Sequence, residues 1–160
     1  HRDLHSFPTR RSSDLVATRD ETLFAKVARW RKVSGSIPDP FAAFLTHRGL
    51  MTLEVRLERM CANAAALMSV FEGHPALEQV KFPGMGFVIG LTFATEVKAE
   101  AFINDCPAIF ASTSFGGVHT SAERRARWGD DVPDGFVRLS VGCEPSDALI
   151  QAIEASLAAL

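Results

Sequence analysis

The sequence has no apolar run approaching the roughly 20 residues a membrane-spanning helix needs. It has little net charge: 17 Lys and Arg against 19 Asp and Glu leave −2, which argues against nucleic acid as a partner. Its three cysteines, Cys61, Cys106 and Cys143, form no CxxC pair and no metal-ligand spacing. An odd, unpaired set predicts free thiols in a reducing compartment and no bound metal. The N-terminus is basic and polar and lacks the apolar core of a secretory signal, so a cytoplasmic location is expected. No repeat or low-complexity tract appears. An obvious nucleophile or general base is also missing. His119 adjoins Thr120 and Ser121, but a serine–histidine pair needs geometry that adjacent residues rarely have. Glu54 and Glu58 stand four apart on a helix, and no histidine completes a metal set with them.

What is present is a globular composition. Of 160 residues, 47% are apolar and 22% charged, enough for one domain with its own core. The first fifteen residues stand apart. His1 to Leu15 has no helical or strand periodicity. A basic tail or an Arg- and Ser-rich targeting peptide would read this way. The string also resembles the in-frame translation of a DNA-sequencing adapter, and it is expected to be non-native.

From Val16 the pattern becomes structured. Leu23, Val27 and Trp30 predict a helix over 19–33, stopped by Ser34-Gly35. Asp39 and Pro40 form an N-cap and first-turn pair for a short helix over 41–46, which Arg48-Gly49-Leu50 should break. Thr52 then caps a long helix. Its apolar stripe is Leu53, Leu57, Met60, Ala64, Leu67, Met68 and Phe71, with Glu54, Glu58, Arg59 and Asn63 off it. Strands are expected over 77–82 and 87–93. Thr95 caps a helix to about Asp105 whose apolar positions are Val97, Ala101 and Phe102. A strand over 108–111 follows. Ser121–Trp128 reads as a short basic helix, 136–141 as a strand, and Glu144 onwards as a terminal helix with Leu149, Ile150, Ile153 and Leu157 inward. Helices followed by short strands with few crossovers predict an α+β fold. Its sheet should be small and mostly antiparallel, with helices packed on one face.

Two stretches carry the chemistry. Ser112-Thr-Ser-Phe-Gly-Gly-Val-His-Thr120 is a turn of hydroxyls and glycines leaving an apolar run. It lacks the lysine and glycine spacing of a P-loop. Phe136-Val-Arg-Leu-Ser-Val-Gly142 places one cation, Arg138, inside a strand, where a charge needs a partner or water. A guanidinium gives two parallel hydrogen bonds to a carboxylate. Arg138 therefore reads either as a grip for a small carboxylate or as a structural ion pair with Glu144, Asp131 or Asp134.

Six motifs in order turn these fragments into a pattern. They are Gly35-Ser-Ile-Pro-Asp-Pro-Phe41, His47-Arg-Gly-Leu-Met-Thr-Leu53, Asn63-Ala64, Val80-Lys-Phe-Pro-Gly84, Ser114-Phe-Gly-Gly-Val118 and Val137-Arg-Leu-Ser-Val-Gly-Cys-Glu144. Over residues 16–160 they resemble the C-terminal part of the pyridoxal-phosphate-dependent Cys/Met metabolism family, the trans-sulfuration enzymes. The stretch from Ser114 to Gly129 is similar to bacterial members that act as cystathionine gamma-lyases. The resemblance implies the C-terminal domain of a fold-type-I enzyme. Residues 16–35 would be the remnant of the large cofactor-binding domain, and 36–160 the substrate-recognition domain.

The implied activity is gamma-elimination of cystathionine to cysteine, 2-oxobutanoate and ammonia. Alternatives are cystathionine gamma-synthase, a related methionine- or homocysteine-forming member, or, outside catalysis, an amino-acid-binding regulatory module. The implied cofactor is pyridoxal 5′-phosphate, and the implied partners are an amino-acid substrate and further copies of the chain in a homotetramer. By the same resemblance Arg138 binds the substrate α-carboxylate, Ser114 lines the substrate and cofactor pocket, and Thr113 sits where many members have Glu. The Schiff-base lysine would lie upstream, so no catalytic residue is expected in this chain; Lys26 and Lys32 fall outside that motif. A second departure is the short Gly84-Met85 junction, where relatives carry a longer insertion.

Overall fold

The computed structural model describes residues 16–160, and the expectations for residues 1–15 lie outside them. The described chain divides into two compact units, 16–53 and Glu54–Leu160.

The first unit holds two capped helices. Helix α1 (Glu21–Ser34) starts at Asp20, whose carboxylate accepts from the N–H groups of Thr22 and Leu23 at 2.8 and 3.0 Å. Helix α2 (Pro40–Leu50) starts at Asp39, which accepts from Phe41 and Ala42 N–H, with Pro40 in the first turn. This is the cap that the Asp-Pro pair predicts. The helix does not break at Arg48-Gly49-Leu50. It runs on to Leu50, because a glycine near a helix end costs only about 1 kcal/mol relative to alanine.

Helix α3 (Leu53–Phe71) leads into the second unit. Then come β1 (Leu77–Lys81), β2 (Val88–Phe93), α4 (Glu96–Asp105), β3 (Phe110–Ala111), β4 (Ser121–Arg124), a 3₁₀ turn (Arg125–Trp128), β5 (Phe136–Ser140) and α5 (Ser146–Ala158). The strands form one sheet in the order β1-β2-β5-β4-β3. All pairs are antiparallel except the short β3–β4 contact. The fold is α+β, as the element order predicts.

Period-two alternation sets the core. Ile89, Leu91 and Phe93 of β2 and Val137 and Leu139 of β5 are buried, in one cluster with Leu67 and Phe71 of α3, Phe102 of α4, and Ile153 and Leu157 of α5. On α4 the inward residues are Ala99, Phe102 and Ile103, whereas Val97, expected inside, is exposed. Leu53 and Leu57 likewise stay outside the α3 stripe, which is buried from Met60 to Phe71. Cys106 is buried, and that burial pushes its thiol pKa up.

Two local expectations change. Ser121–Trp128 is not a helix: its first half is β4 and its second the 3₁₀ turn. All four β4 residues are buried although three are polar. They are tolerated because tertiary partners satisfy them, an advantage that local propensity does not register.

Asn63, expected off the stripe, is 1% exposed. Its amide N–H donates to the carbonyls of Gly142 (3.0 Å) and Glu144 (2.9 Å), and its carbonyl accepts from the Ser146 hydroxyl at 2.6 Å. One side chain thus ties α3 to the chain between β5 and α5. Asn63→Ala should lower the unfolding free energy by about 2 kcal/mol, read as a drop in the urea midpoint, because it strands buried acceptors.

Candidate functional site

Strand register brings the two candidate stretches together. β5 pairs with β2 on one side and β4 on the other, so Arg138 stands between Gly90 and Glu123. Its neighbours Val137 and Leu139 face the core, which puts the guanidinium on the opposite side of the sheet. Glycine at 90 leaves that face low. A Cβ there would meet the Phe136 ring at 2.9 Å.

The guanidinium reaches the 112–120 loop. Arg138 Nη2 donates to the Thr113 carbonyl at 2.5 Å and to Glu123 Oε1 at 2.5 Å. The Phe115 ring centroid lies 5.0 Å from the guanidinium carbon, within cation–π range. Arg138 is 22% exposed at its side chain, whereas Glu123 is 1% exposed. The structural ion pair is therefore with Glu123, not with Glu144, Asp131 or Asp134. Glu144 is used elsewhere: its carboxylate accepts from the N–H and the hydroxyl of Thr120.

The ion pair does not exhaust the arginine. Both acceptors lie on Nη2, and among the described residues no partner is seen for Nε or Nη1. Three N–H donors thus remain for a ligand, although a two-pronged grip that includes Nη2 would have to displace one of its present partners.

The loop is a turn shaped by serine hydroxyls. The Ser114 N–H donates to the Ser112 hydroxyl at 3.2 Å, and the Gly116 N–H donates to the Ser140 hydroxyl at 3.0 Å. Those two donors are spent within the protein. Ser114 is exposed, and its carbonyl accepts from the Ser121 hydroxyl at 3.1 Å. Thr113 is half-buried and meets Arg138 through its backbone. His119 is exposed, with its ring 5.2 Å from that of Phe110.

Three residues that sequence reasoning assigned to a helix complete the site. Glu123 accepts from Arg125 Nη1 at 2.7 Å and from the Trp128 indole N–H at 2.8 Å. Arg125 in turn pairs with Asp130 at 2.6 Å. Hydrogen bonds to Glu123 first, and to Asp130, hold the Arg125 pKa above its ordinary value. The available signal was charge complementarity between Glu123 and Arg138, legible only once their strands are known to be paired.

The second unit supplies two lysines. Lys98 lies on α4, and Lys81 lies on β1, which is separated from β5 by β2. Neither stands beside Arg138 in the sheet. The donor set thus fits the carboxylate end of an amino acid, and not the lysine-based attachment of an aldehyde cofactor. No helix among the described residues is long and apolar enough to cross a membrane.

The chain is similar to several known proteins. The family described as "Cys/Met metabolism PLP-dependent enzyme" matches residues 13–158. A Streptomyces coelicolor protein provisionally named a cystathionine gamma-lyase is 38% identical over 152 residues, covering 84% of this chain and 39% of its own. A Mycobacterium bovis cystathionine gamma-synthase is 31% identical over 167 residues, covering 89% and 43%. The structure of cystathionine gamma synthase from Xanthomonas oryzae pv. oryzae with aminoacrylate and cysteine superposes with a TM-score of 0.80 at 28% identity, covering 89% and 44%. The chain spans about two-fifths of the length of the curated relatives it matches.

Proposed function

This chain belongs to the Cys/Met metabolism family of PLP-dependent enzymes, and from that premise we propose that it is the substrate-recognising C-terminal part of a cystathionine gamma-lyase. The reaction would release cysteine, 2-oxobutanoate and ammonia from cystathionine. The observation that carries the recognition role is Arg138, held on one nitrogen by Glu123 and Thr113 with its other N–H donors unpaired among the described residues. The choice of lyase follows the name of the Streptomyces protein, which is 38% identical.

The division of labour follows from chemistry. Pyridoxal phosphate supplies the electron sink in enzymes of this family. Arg138 would bind the substrate carboxylate and so fix rotation about the bond between Cα and the amino nitrogen, which selects the Cα bond aligned for cleavage. Ser114 and Thr113 lie on the loop that borders the guanidinium and would form one wall against the rest of the substrate. Proton transfer at Cα falls to a base outside these residues. In the proposed assembly, residues 16–35 belong to the large cofactor-binding domain, 36–160 form the recognition domain, and four copies associate in the cytoplasm.

Product analysis tests the assignment. The full-length protein, loaded with cofactor and given cystathionine, should yield 2-oxobutanoate and cysteine in equal amounts. A protein that instead joins cysteine to an activated homoserine and leaves cystathionine intact is a synthase.

A further inference from the structure

We propose that Glu123 is a positioning residue for the carboxylate grip, acting through Arg138 and itself held by Arg125 and Trp128. The inference rests on the reading of Arg138 as the substrate-carboxylate ligand.

Burial makes Glu123 unusual. A carboxylate 1% exposed is stable only when donors replace its water. Glu123 has three: Arg138 Nη2 and Arg125 Nη1 on one oxygen, and the Trp128 indole N–H on the other. Two come from the 3₁₀ turn immediately after β4, a segment that has no contact of its own with Arg138 in the hydrogen-bond pattern. The turn is fixed in part by Gly129 in the left-handed region at φ 82°, which returns its N–H to the Ala126 carbonyl.

The charges alternate along a line: Asp130, Arg125, Glu123, Arg138. This order has a functional consequence. A lone buried Glu123 would neutralise Arg138 and weaken its pull on an incoming carboxylate. Arg125 shares Glu123, so the carboxylate is not held by Arg138 alone, and Arg138 stands at the positive end of a chain whose four charges sum to zero. Meanwhile Glu123 and the Thr113 carbonyl engage both hydrogens of Nη2 and so set the plane of the guanidinium. A substrate carboxylate then meets donors already oriented, which saves ordering entropy on binding. The register supports the same point. Glu123 and Arg138 are direct cross-strand partners, so the pair is fixed by backbone pairing and not by loop conformation.

A double-mutant cycle in the full-length holoenzyme tests this. Glu123→Gln keeps the shape but removes the charge, and it should raise KM for cystathionine about tenfold with kcat within about twofold, the scale of one weakened charge-assisted bond. In an Arg138→Ala background the same change should add little, because its route to substrate is gone. Trp128→Phe should raise KM about threefold, the scale of one neutral hydrogen bond; if Glu123→Gln does not fold, this variant carries the test. Equal KM effects of Glu123→Gln with and without Arg138 would overturn the proposal, as would an unchanged KM in Trp128→Phe. A lowered KM in Glu123→Gln would overturn it too, by making Glu123 a competitor of the substrate. All three leave the role of Arg138 standing. An unchanged KM in Arg138→Ala alone removes the carboxylate grip and the proposal together.

Discussion

Replacing Arg138 by alanine in the full-length enzyme should raise KM for cystathionine about 100-fold, the loss of ~3 kcal/mol of charge-assisted hydrogen bonding. The absorbance of the bound cofactor should not change, since neither lysine of the second unit stands beside Arg138 in the sheet. The size of the effect follows from what the guanidinium supplies. A carboxylate leaving water needs its hydration replaced, and Arg138 has three N–H donors unpaired among the described residues. The fold should survive the change. Glu123 keeps Arg125 and Trp128 as donors, so its buried charge stays compensated. Arg138→Lys separates charge from shape. A lysine restores the point charge but not the planar fork, and its KM should lie between the two. Substrate kinetics unaltered in both variants would take Arg138 out of the site.

The core elements were legible in the sequence wherever one physical signal dominated. Asp20 lies beyond the predicted start of α1 at 19 by one residue, and Asp39-Pro40 marks the start of α2 directly, because a carboxylate before a helix satisfies orphan N–H groups locally. Strand β2 was visible as an apolar run and β5 in its apolar alternation. Arg138 was visible because a charge in such a strand requires an explanation. Hidden were the features set by partners distant in sequence. Asn63 reads as an outer polar residue on α3, and only the carbonyls of Gly142 and Glu144, some eighty residues on, make it a core residue. Ser121–Arg124 carries no strand pattern. It is a strand because β5 pairs with it and because Arg124 finds Glu96 and Glu100 on α4. The site residues Ser114 and Thr113 were picked out by a motif. Their geometry was not, since Thr113 meets Arg138 through a carbonyl that every residue type carries.

The same dependence on distant backbone explains the glycine that ends the Arg138 strand motif, and it sets the largest expected loss of stability. Gly142 has no left-handed backbone to accommodate. It is glycine for want of space. A Cβ there would sit 2.5 Å from the Val118 carbonyl oxygen, the His119 carbonyl carbon and the Thr120 nitrogen. All three are main-chain atoms, so no side chain can swing aside. The close approach is used: the Gly142 N–H donates to the Thr120 hydroxyl at 2.9 Å, and the Cys143 N–H donates to the Val118 carbonyl at 2.8 Å. These bonds hold the end of the Ser112–Thr120 loop against the end of β5, and so hold Thr113 within reach of Arg138. Gly142→Ala must push the two backbones apart and break both bonds. It should cost at least about 3 kcal/mol, above the common range for overpacking, and lower the urea midpoint accordingly. Gly129→Ala is the control. Gly129 is left-handed but has open space around its Cα, so alanine there pays only the conformational cost of about 1–2 kcal/mol. The two glycines separate a steric requirement from a dihedral one. If Gly142→Ala were no more destabilising than Gly129→Ala, the loop would not depend on that close approach. If Gly142→Ala folds at low temperature, its KM should rise along with its instability, because the carbonyl of Thr113 would no longer help set the plane of Arg138.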